Sequence, residues 1–280
     1  MNQPAGNIIC PLCPHKCVLP PNVTGFCRAR RNVGGSLVDL NYGQLTSIAL
    51  DPIEKKPFAR FYPGSLILSV GSYGCNLRCP FCQNASISQR GPEAARMSVS
   101  PEQLLALALK YKEKAANLGV AFTYNEPLIG YEYVRDCAKL LKQHGLKVVL
   151  VTNGTIAPGP WDALLPFVDA ANIDLKGFTK EYYQWLGGDL DTVKTAIAMA
   201  VEKGCHVEVT TLVVPGRNDS PEEMEQEAQW LASLSPELSL HISRYFPRWQ
   251  LDTPATPVAT ILELKAAAEK YLKYVYTGNC

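Results

Sequence analysis

Three cysteines stand close together in the segment GCNLRCPFCQN, at Cys75, Cys79 and Cys82, with the spacing C-x3-C-x2-C. Thiolates are soft ligands that bind zinc and iron–sulfur clusters. Three of them can hold three corners of a [4Fe–4S] cube and leave one iron free for a substrate or cofactor. They can also hold zinc together with a distant fourth ligand. The spacing predicts a metal site and leaves these two kinds open.

A second group of cysteines lies near the amino terminus, with the spacing C-x2-C-x3-C-x9-C at Cys10, Cys13, Cys17 and Cys27. Four thiolates can complete a tetrahedral zinc site. They can equally hold a second iron–sulfur cluster whose irons are all bound by protein, and such a cluster can feed electrons to the first. The sequence predicts a second metal site, holding either zinc or a cluster.

Composition favours a protein of the cytosol with metal-bound cysteines. The amino terminus does not resemble a signal peptide, and no apolar run approaches the roughly 18 residues of a membrane span. Cytosolic thiols stay reduced, so clusters among the ten cysteines indicate metal rather than disulfides. The 27 basic and 26 acidic residues nearly cancel, which argues against a nucleic-acid partner. We therefore predict a cytoplasmic location and no membrane or nucleic-acid partner.

The chain divides by composition near residue 65. Residues 1–65 are rich in proline, glycine and cysteine, which predicts a small Cys-rich metal-binding appendage. Residues 66–280 show a different pattern, in which short apolar runs alternate with longer amphipathic segments. The sequence thus predicts an appendage followed by one larger domain.

Six strand–helix units are predicted in this larger domain. The first helix is predicted over residues 100–119, capped by Ser100 and ended by Gly119. Such alternation gives an α/β fold with a parallel sheet and helices outside it. The predicted strands are 66–70, 120–124, 147–151, 170–173, 206–214 and 238–242.

Polar side chains follow the ends of these predicted strands, which favours a barrel over an open sheet. In a parallel α/β barrel the carboxyl ends of the strands meet at one rim, where active sites form. The residues at these positions are the cysteine loop, Asn125, Glu126, Thr152, Asn153, Asp174, Lys176, Arg217, Asn218, His241 and Arg244.

The cysteine spacing, with the aromatic Phe81 before its last cysteine, resembles the signature of the radical S-adenosylmethionine (SAM) superfamily. This resemblance implies a partial (β/α)6 barrel of the TIM type. It also implies a [4Fe–4S] cluster whose free iron is bound by SAM, the missing fourth ligand. One electron, from a donor such as flavodoxin or ferredoxin, then cleaves SAM to methionine and a 5′-deoxyadenosyl radical that abstracts hydrogen from a substrate.

The same resemblance implies roles for residues after the strands. Glu126 in FTYNEP takes the place of the glutamate in a Gly-Gly-Glu segment that holds the amino group of SAM, and Asn125 precedes it. The segments VTNG, with Thr152 and Asn153, and IDLKG resemble those of glycyl-radical-enzyme activases such as pyruvate formate-lyase activating enzyme. Asp174 and Lys176 would then lie near both SAM and the incoming substrate.

A closer resemblance covers nearly the whole chain. The segments CPLCPHKC, DPIEKKPFARFYPG, FTYNEP and HISRYFPRW are similar to those of the radical enzyme of the AmmeMemoRadiSam system. This resemblance implies radical modification of a small molecule or peptide. The alternative is activation of a glycyl radical enzyme, a protein substrate. A rival hypothesis of another class is a zinc-binding module without catalysis.

Several of these residues have a second interpretation that the sequence leaves open. Glu126 can be a solvated loop carboxylate, and Asn153 can belong only to a turn. Asp174 and Lys176 can form a salt bridge at the rim. His241 can be a catalytic proton donor or a hydrogen-bonded core histidine.

Overall fold

The amino-terminal part of the chain forms a small module of short strands in the computed structural model, which describes residues 6–280. We call residues 6–46 the N-terminal module. Two antiparallel hairpins build it, β1 with β2 and β3 with β4. Its strands are β1 (Ile8–Ile9), β2 (Val18–Leu19), β3 (Arg30–Val33), β4 (Ser36–Asp39) and β5 (Gln44–Leu45).

One eight-stranded sheet forms the centre of the molecule. Its order is β14-β13-β12-β11-β10-β9-β7-β6, in which β6 runs antiparallel to β7 and the remaining neighbours pair in parallel. The short β8 lies outside it and pairs with β5. The strands are β6 (Ser47–Pro52), β7 (Leu66–Gly71), β8 (Met97–Ser98), β9 (Gly119–Phe122), β10 (Lys147–Thr152), β11 (Ala170–Asp174), β12 (His206–Val213), β13 (Ser239–Arg244) and β14 (Tyr274–Gly278).

Helices connect the parallel strands and pack on the outside of the sheet through apolar faces. Short 3-10 turns occur at 53–55, 92–94, 127–130 and 165–167. The α-helices are α1 (Ala85–Ser88), α2 (Pro101–Ala115), α3 (Tyr131–Gln143), α4 (Pro158–Leu164), α5 (Lys180–Trp185), α6 (Leu190–Glu202), α7 (Pro221–Leu234) and α8 (Val258–Ala268). The predicted α/β fold, a partial TIM-type barrel preceded by a Cys-rich module, is thus confirmed.

The predicted start of α2 is confirmed, whereas its predicted end at Gly119 is wrong. Ser100 and Gln103 form a reciprocal capping box at the amino end. The helix stops at Ala115, and Ala116 takes the left-handed conformation with φ of 50°. Gly119 instead opens β9, where a β-carbon would lie 1.9 Å from the Lys147 carbonyl oxygen. The glycine therefore serves close strand pairing rather than a helix cap.

Two strands at the sheet edges were not predicted as part of the barrel. β6 lies before residue 65 yet pairs with β7 over six residue pairs, so the predicted division at residue 65 falls inside the sheet. β14 extends the sheet beyond β13 and occupies residues for which no strand was predicted. The part of the chain outside the barrel is the N-terminal module.

A loop closes the barrel at the amino ends of its strands. Phe58 and Phe61, in the segment PFARF at residues 57–61, pack among Ile67 and Ala170 near the strand starts. The buried Glu208 of β12 accepts hydrogen bonds from the backbone N–H groups of Ala59 and Arg60 at 3.0 and 2.9 Å. We call this loop the floor loop and the opposite end of the barrel the rim. Across residues 6–280, no helix is long and apolar enough to cross a bilayer.

Candidate active site

The loop after β7 carries the three cysteines of the C-x3-C-x2-C segment. It begins at Gly74, whose φ of 84° is readily available only to glycine. The Leu77 N–H donates to the Cys75 sulfur at 3.3 Å, and the Cys82 sulfur lies 3.1 Å from the Ser88 hydroxyl. Burial raises the pKa of the Cys79 thiol to about 11, while nearby Lys176 opposes that rise. Polar hydrogens and a positive charge are thus directed at the sulfurs.

Two asparagines connect this loop to the end of β10. The side-chain amide of Asn153 donates to Asn76 Oδ1 at 3.0 Å and approaches the Cys75 sulfur at 3.6 Å. Asn76 in turn donates to the Thr155 carbonyl at 2.7 Å. Asn76, between the first two cysteines, was not singled out from the sequence. Its position inside the motif was the available signal, because a buried amide there must find partners.

Glu126 lies at the centre of the rim and is buried, with 2% of its surface exposed. Its Oε1 accepts hydrogen bonds from the Thr152 hydroxyl at 2.6 Å and the Leu128 N–H at 3.0 Å. Its Oε2 accepts one from the Asn153 N–H at 2.7 Å. The alternative of a solvated loop carboxylate is therefore wrong. A carboxylate oxygen can accept two bonds, so Oε2 keeps a free acceptor position.

The electrostatic setting of Glu126 is unusual because its three donors are all neutral. Burial raises its pKa to about 7, the hydrogen bonds from Asn153, Thr152 and Leu128 lower it in part, and Asp174 raises it further. No ion pair with a lysine, arginine or histidine involves Glu126 within the described part of the chain. A cation brought to this carboxylate would relieve the cost of keeping it charged.

Asn125 and Phe81 both lie at the rim but make contacts within the protein. The Asn125 side chain accepts from the Ser72 N–H at 2.9 Å and donates to the Tyr73 and Gly74 carbonyls at 3.1 Å. It thereby fixes the backbone that leads into the cysteine loop. The ring of Phe81 is buried against Trp185 and Tyr245. Their predicted contact with SAM stays a prediction.

Asp174 and Lys176 form the ion pair that the sequence left open as an alternative. The Lys176 ammonium lies 3.0 Å from Asp174 Oδ2. Burial lowers the pKa of Lys176, but the nearby Asp174 and Cys79 outweigh it and hold the pKa above its ordinary value. Asn218, also among the predicted rim residues, fixes this turn by donating to the Lys176 carbonyl at 2.8 Å. Lys176 therefore stays charged beside the cysteine loop.

His241 does not join this group. Its Nε2 lies 2.6 Å from Oε2 of Glu208, the residue that also holds the floor loop, and its ring stacks on Tyr276. It is 7% exposed. The structure therefore matches the alternative of a hydrogen-bonded core histidine, and the contacts seen in residues 6–280 give the predicted catalytic role no support.

Cys75, Cys79 and Cys82 all lie in the loop after β7. Across the described residues, no group of three His, Cys, Asp or Glu side chains is arranged to hold a single metal ion. The other four cysteines, Cys10, Cys13, Cys17 and Cys27, line a cavity in the N-terminal module.

Comparison with known proteins gives the family. The description "Radical SAM superfamily" matches residues 69–231, a span that holds the cysteine loop and the strand ends up to β12. The chain belongs to the radical SAM superfamily.

Two relatives and one solved structure show how far this similarity reaches. The chain is 38% identical over 274 residues to an uncharacterized protein of Methanocaldococcus jannaschii, covering 96% of this chain and 80% of that one. It is 27% identical over 212 residues to a pyruvate formate-lyase-activating enzyme of Clostridium pasteurianum, covering 71% and 87%. A radical SAM methyltransferase from Sphaerobacter thermophilus shares the fold, with a TM-score of 0.59, 17% identity and coverage of 78% and 67%.

Membership of this superfamily decides the general chemistry. The protein is an enzyme, and its family implies a [4Fe–4S] cluster and SAM as cofactors. The rival hypothesis of a zinc-binding module without catalysis is therefore wrong. The geometry fits the implied cofactors, since thiols with directed hydrogen-bond donors suit a cluster and a buried carboxylate without a cationic partner suits an ammonium group.

Proposed function

We propose that this enzyme cleaves SAM reductively at a cluster held by Cys75, Cys79 and Cys82 and uses the resulting radical to take hydrogen from a substrate. The observation that carries the proposal is Glu126, a buried carboxylate at the rim whose three hydrogen-bond donors are all neutral. The amino group of SAM would supply the missing positive charge. When bound, cluster and cofactor supply the electron transfer and the radical, and the protein positions and shields them.

The roles proposed for the rim residues follow from their contacts. Glu126 receives the amino group of SAM, and Thr152 and Asn153 hold its carboxylate in place. Asn125 is a positioning residue for the backbone before Cys75. Lys176, charged and next to Cys79, balances the negative thiolates and meets the substrate together with Asp174.

For the substrate we favour a small molecule or a peptide, as in the AmmeMemoRadiSam system. The segment after β13 supports this choice. Phe246 and Trp249 are 43% and 47% exposed there, and Arg248 is exposed between them. The Gln250 N–H of the same segment donates to the Pro80 carbonyl in the cysteine loop at 2.9 Å. Exposed aromatic and basic groups beside the cluster loop suit an organic substrate with an acidic group.

A second candidate is activation of a glycyl radical enzyme. It is favoured by the 27% identity to the pyruvate formate-lyase-activating enzyme of Clostridium pasteurianum, which extends over 87% of that protein. The two candidates differ in the size of the partner, because an activase must admit a loop of another protein to its rim.

The proposal includes an external electron donor such as flavodoxin or ferredoxin and a reducing, cytosolic compartment. None of the ten cysteines is in a disulfide, which suits a reducing compartment.

The test is anaerobic incubation of the reduced holoenzyme with SAM, followed by measurement of 5′-deoxyadenosine. Candidate substrates carrying deuterium then identify the hydrogen donor, because the label passes to 5′-deoxyadenosine. Cys280→Ala, which removes an exposed thiol far from the loop in sequence, is the matched control and should cleave SAM as the wild type does. A wild-type enzyme with full iron content and no 5′-deoxyadenosine would overturn the proposal.

A further inference from the structure

The N-terminal module contacts the cysteine loop, residues 74–84, through a side chain that none of the roles above uses. This side chain is Arg78, which directly precedes the second cysteine of the motif, Cys79. The proposed binding of SAM at Glu126 does not involve it. The metal predicted at the four cysteines of the module, which stays a prediction, does not involve it either.

The guanidinium of Arg78 joins the cysteine loop to the N-terminal module. Its Nη1 donates to the carbonyls of Cys75 and Leu77, both at 3.0 Å. Its Nη2 donates to the Phe26 carbonyl of the module. The Arg78 N–H donates to the Leu186 carbonyl just after α5 at 2.8 Å. A planar guanidinium with donors in fixed directions is suited to hold two chain segments together in this way.

Aromatic rings of the module hold this guanidinium from the other side. The central carbon of the Arg78 guanidinium lies 3.6 Å from the centre of the Phe26 ring, within the range of a cation–π interaction. The His15 ring packs against the Phe26 ring with centroids 4.2 Å apart. His15 Nε2 also lies 2.8 Å from the Asn76 carbonyl oxygen. The module therefore contacts the cysteine loop at two neighbouring positions, Asn76 and Arg78.

The module is fixed where it makes these contacts. A β-carbon at Gly74 would lie 2.4 Å from the Cys27 carbonyl oxygen, closer than non-bonded atoms approach. Further along the module, the buried Arg30 donates to the Glu132 carboxylate of α3 at 2.8 Å. The Phe26 ring thus has a defined place relative to the loop, and so has the guanidinium that packs on it.

Arg78 brings a half-buried positive charge to the thiols of the loop. Burial lowers the pKa of its guanidinium to about 10, and the thiols of Cys75 and Cys79 act against that shift, so the group stays charged at neutral pH. The nearby Lys176 has its charge paired with Asp174 at 3.0 Å. Across residues 6–280 Arg78 forms no ion pair, and its side-chain hydrogen bonds go to neutral carbonyls. Its charge is therefore not cancelled by a neighbouring carboxylate.

We propose that Arg78, held in place by Phe26 of the N-terminal module, raises the reduction potential of the cluster bound in the cysteine loop. The inference rests on the proposed function, since it concerns the cluster at which SAM is cleaved. Reduction adds one negative charge, and a cation in surroundings of low dielectric constant favours the more negative state. Local charge and solvent exposure are among the properties that set the potential of a protein-bound cluster.

The test is a potentiometric titration followed by EPR on the anaerobically reconstituted full chain. The signal of the loop cluster is the one that Cys79→Ala loses. Arg78→Gln should keep its iron and favour the oxidised cluster by roughly tenfold, a fall of about 59 mV in the midpoint potential of a one-electron couple. Arg90→Gln, which removes an exposed charge just after α1, is the matched control and should change this equilibrium less than twofold because solvent screens it. An unchanged potential in Arg78→Gln would overturn the inference.

Conservative variants separate the effect of the charge from support of the loop. Arg78→Lys keeps the charge and loses the forked donors, so its potential should fall by less than half as much as that of Arg78→Gln. Equal shifts in these two variants, or loss of iron from both, would assign Arg78 a structural role and overturn the inference.

The part of the N-terminal module is tested at Phe26. Phe26→Leu removes the ring on which the guanidinium packs, so the potential should fall in the same direction by a smaller amount. Phe26→Tyr keeps the ring and should match the wild type. A wild-type potential in Phe26→Leu would overturn the role of the module.

These outcomes separate the inference from the function on which it rests. A wild type whose loop cluster shows the Arg78-dependent potential but that cannot cleave SAM would contradict the proposed function and leave the inference standing. A wild type that cleaves SAM, with an Arg78→Gln variant of the same potential, would do the reverse.

Discussion

Two buried glutamates, one at each end of the barrel, have opposite electrostatic settings. Glu126 at the rim receives three neutral hydrogen bonds, and burial raises its pKa to about 7. For Glu208 at the floor burial also acts to raise the pKa, but hydrogen bonds from His206 and His241 and from two backbone N–H groups outweigh it and lower the pKa to about 2. Four donors thus satisfy Glu208, whereas Glu126 lacks a cationic partner.

The difference separates a glutamate whose partners all lie within the protein from one whose missing partner we propose to be SAM. Glu208 joins β12, β13 and the floor loop, so its interactions are complete in the protein alone. Glu126 is buried at a cost that the protein does not fully offset. Within the proposed function, the amino group of SAM completes the electrostatics of Glu126.

The largest effect is expected from loss of the cysteines at the rim, which should remove activity and leave the floor of the barrel unchanged. Changing Cys75, Cys79 or Cys82 to Ala should abolish SAM cleavage, because two thiolates cannot hold the cluster in the required geometry. The floor is untouched, so the secondary structure seen by circular dichroism should stay that of the wild type. Measurable 5′-deoxyadenosine from any of the three variants, at wild-type rates, would contradict the assignment of this loop.

At the floor, Glu208→Gln should reduce stability by about 3 kcal/mol, since it removes the charge from a buried hydrogen-bonded network. Thermal unfolding of the anaerobic holoenzyme measures this, with the exposed Glu237→Gln as control. Because the pKa of Glu208 is lowered from 4.5 to about 2, its contribution is present above pH 4.5 and is lost as the pH falls toward 2. A variant as stable as the wild type would remove the contrast between the two ends.

At the rim, Glu126→Gln should weaken SAM binding by roughly ten- to a hundredfold, because a hydrogen bond to a charged group contributes about 1.5–3 kcal/mol. The cluster should stay intact, since Glu126 makes no bond to a cysteine. Isothermal titration with SAM measures the dissociation constant, and iron analysis checks the cluster. An unchanged dissociation constant would place Glu126 outside the binding site.

The raised pKa of Glu126 predicts a pH dependence of SAM binding. The ionised carboxylate binds an ammonium group, so affinity should increase as the pH rises through about 7 and level off above it. The same shift makes the free enzyme less stable as the pH rises from 4.5 to about 7, because the folded state holds its proton more tightly than the unfolded state. Titrations at several pH values measure the affinity. Glu126→Gln should bind with no step near pH 7, and a step in that variant would assign it to another group.

The smallest expected effect tests the contribution of the neutral donors that bond to Glu126. Thr152→Val removes the hydroxyl that donates to Glu126 at 2.6 Å while keeping the shape of the side chain. The pKa of Glu126 should rise further, and SAM should bind a few-fold more weakly at pH 7, in line with a net loss of about 1 kcal/mol. The pH at which affinity changes should move upward. A downward move would contradict the hydrogen-bond arrangement.

The sequence predicted the rim well and the floor poorly, for physical reasons. Glu126, Thr152, Asn153, Asp174 and Lys176 follow buried strands directly, and parallel strands bring such positions together whatever their loops do. The cysteine spacing is local and needs no tertiary information.

Glu208 could not be recognised in the same way. It lies inside β12, where alternation with apolar residues is typical of a half-exposed strand, yet its side chain is fully buried. Its partners, Ala59 and His241, are distant in sequence. The edge strands β6 and β14 were missed for a related reason, because their place in the sheet depends on which neighbour they meet.

Closure of the floor also leaves one end of the barrel for ligands to enter and leave. Phe58 and Phe61 fill the end of the barrel opposite the cysteine loop. In the proposed reaction, substrate and cofactor therefore both enter at the rim. Within the proposed function, methionine and 5′-deoxyadenosine leave by the same passage through which the substrate arrives. A bound substrate then blocks the exit of methionine and 5′-deoxyadenosine. We therefore expect the substrate product to be released before these fragments of SAM.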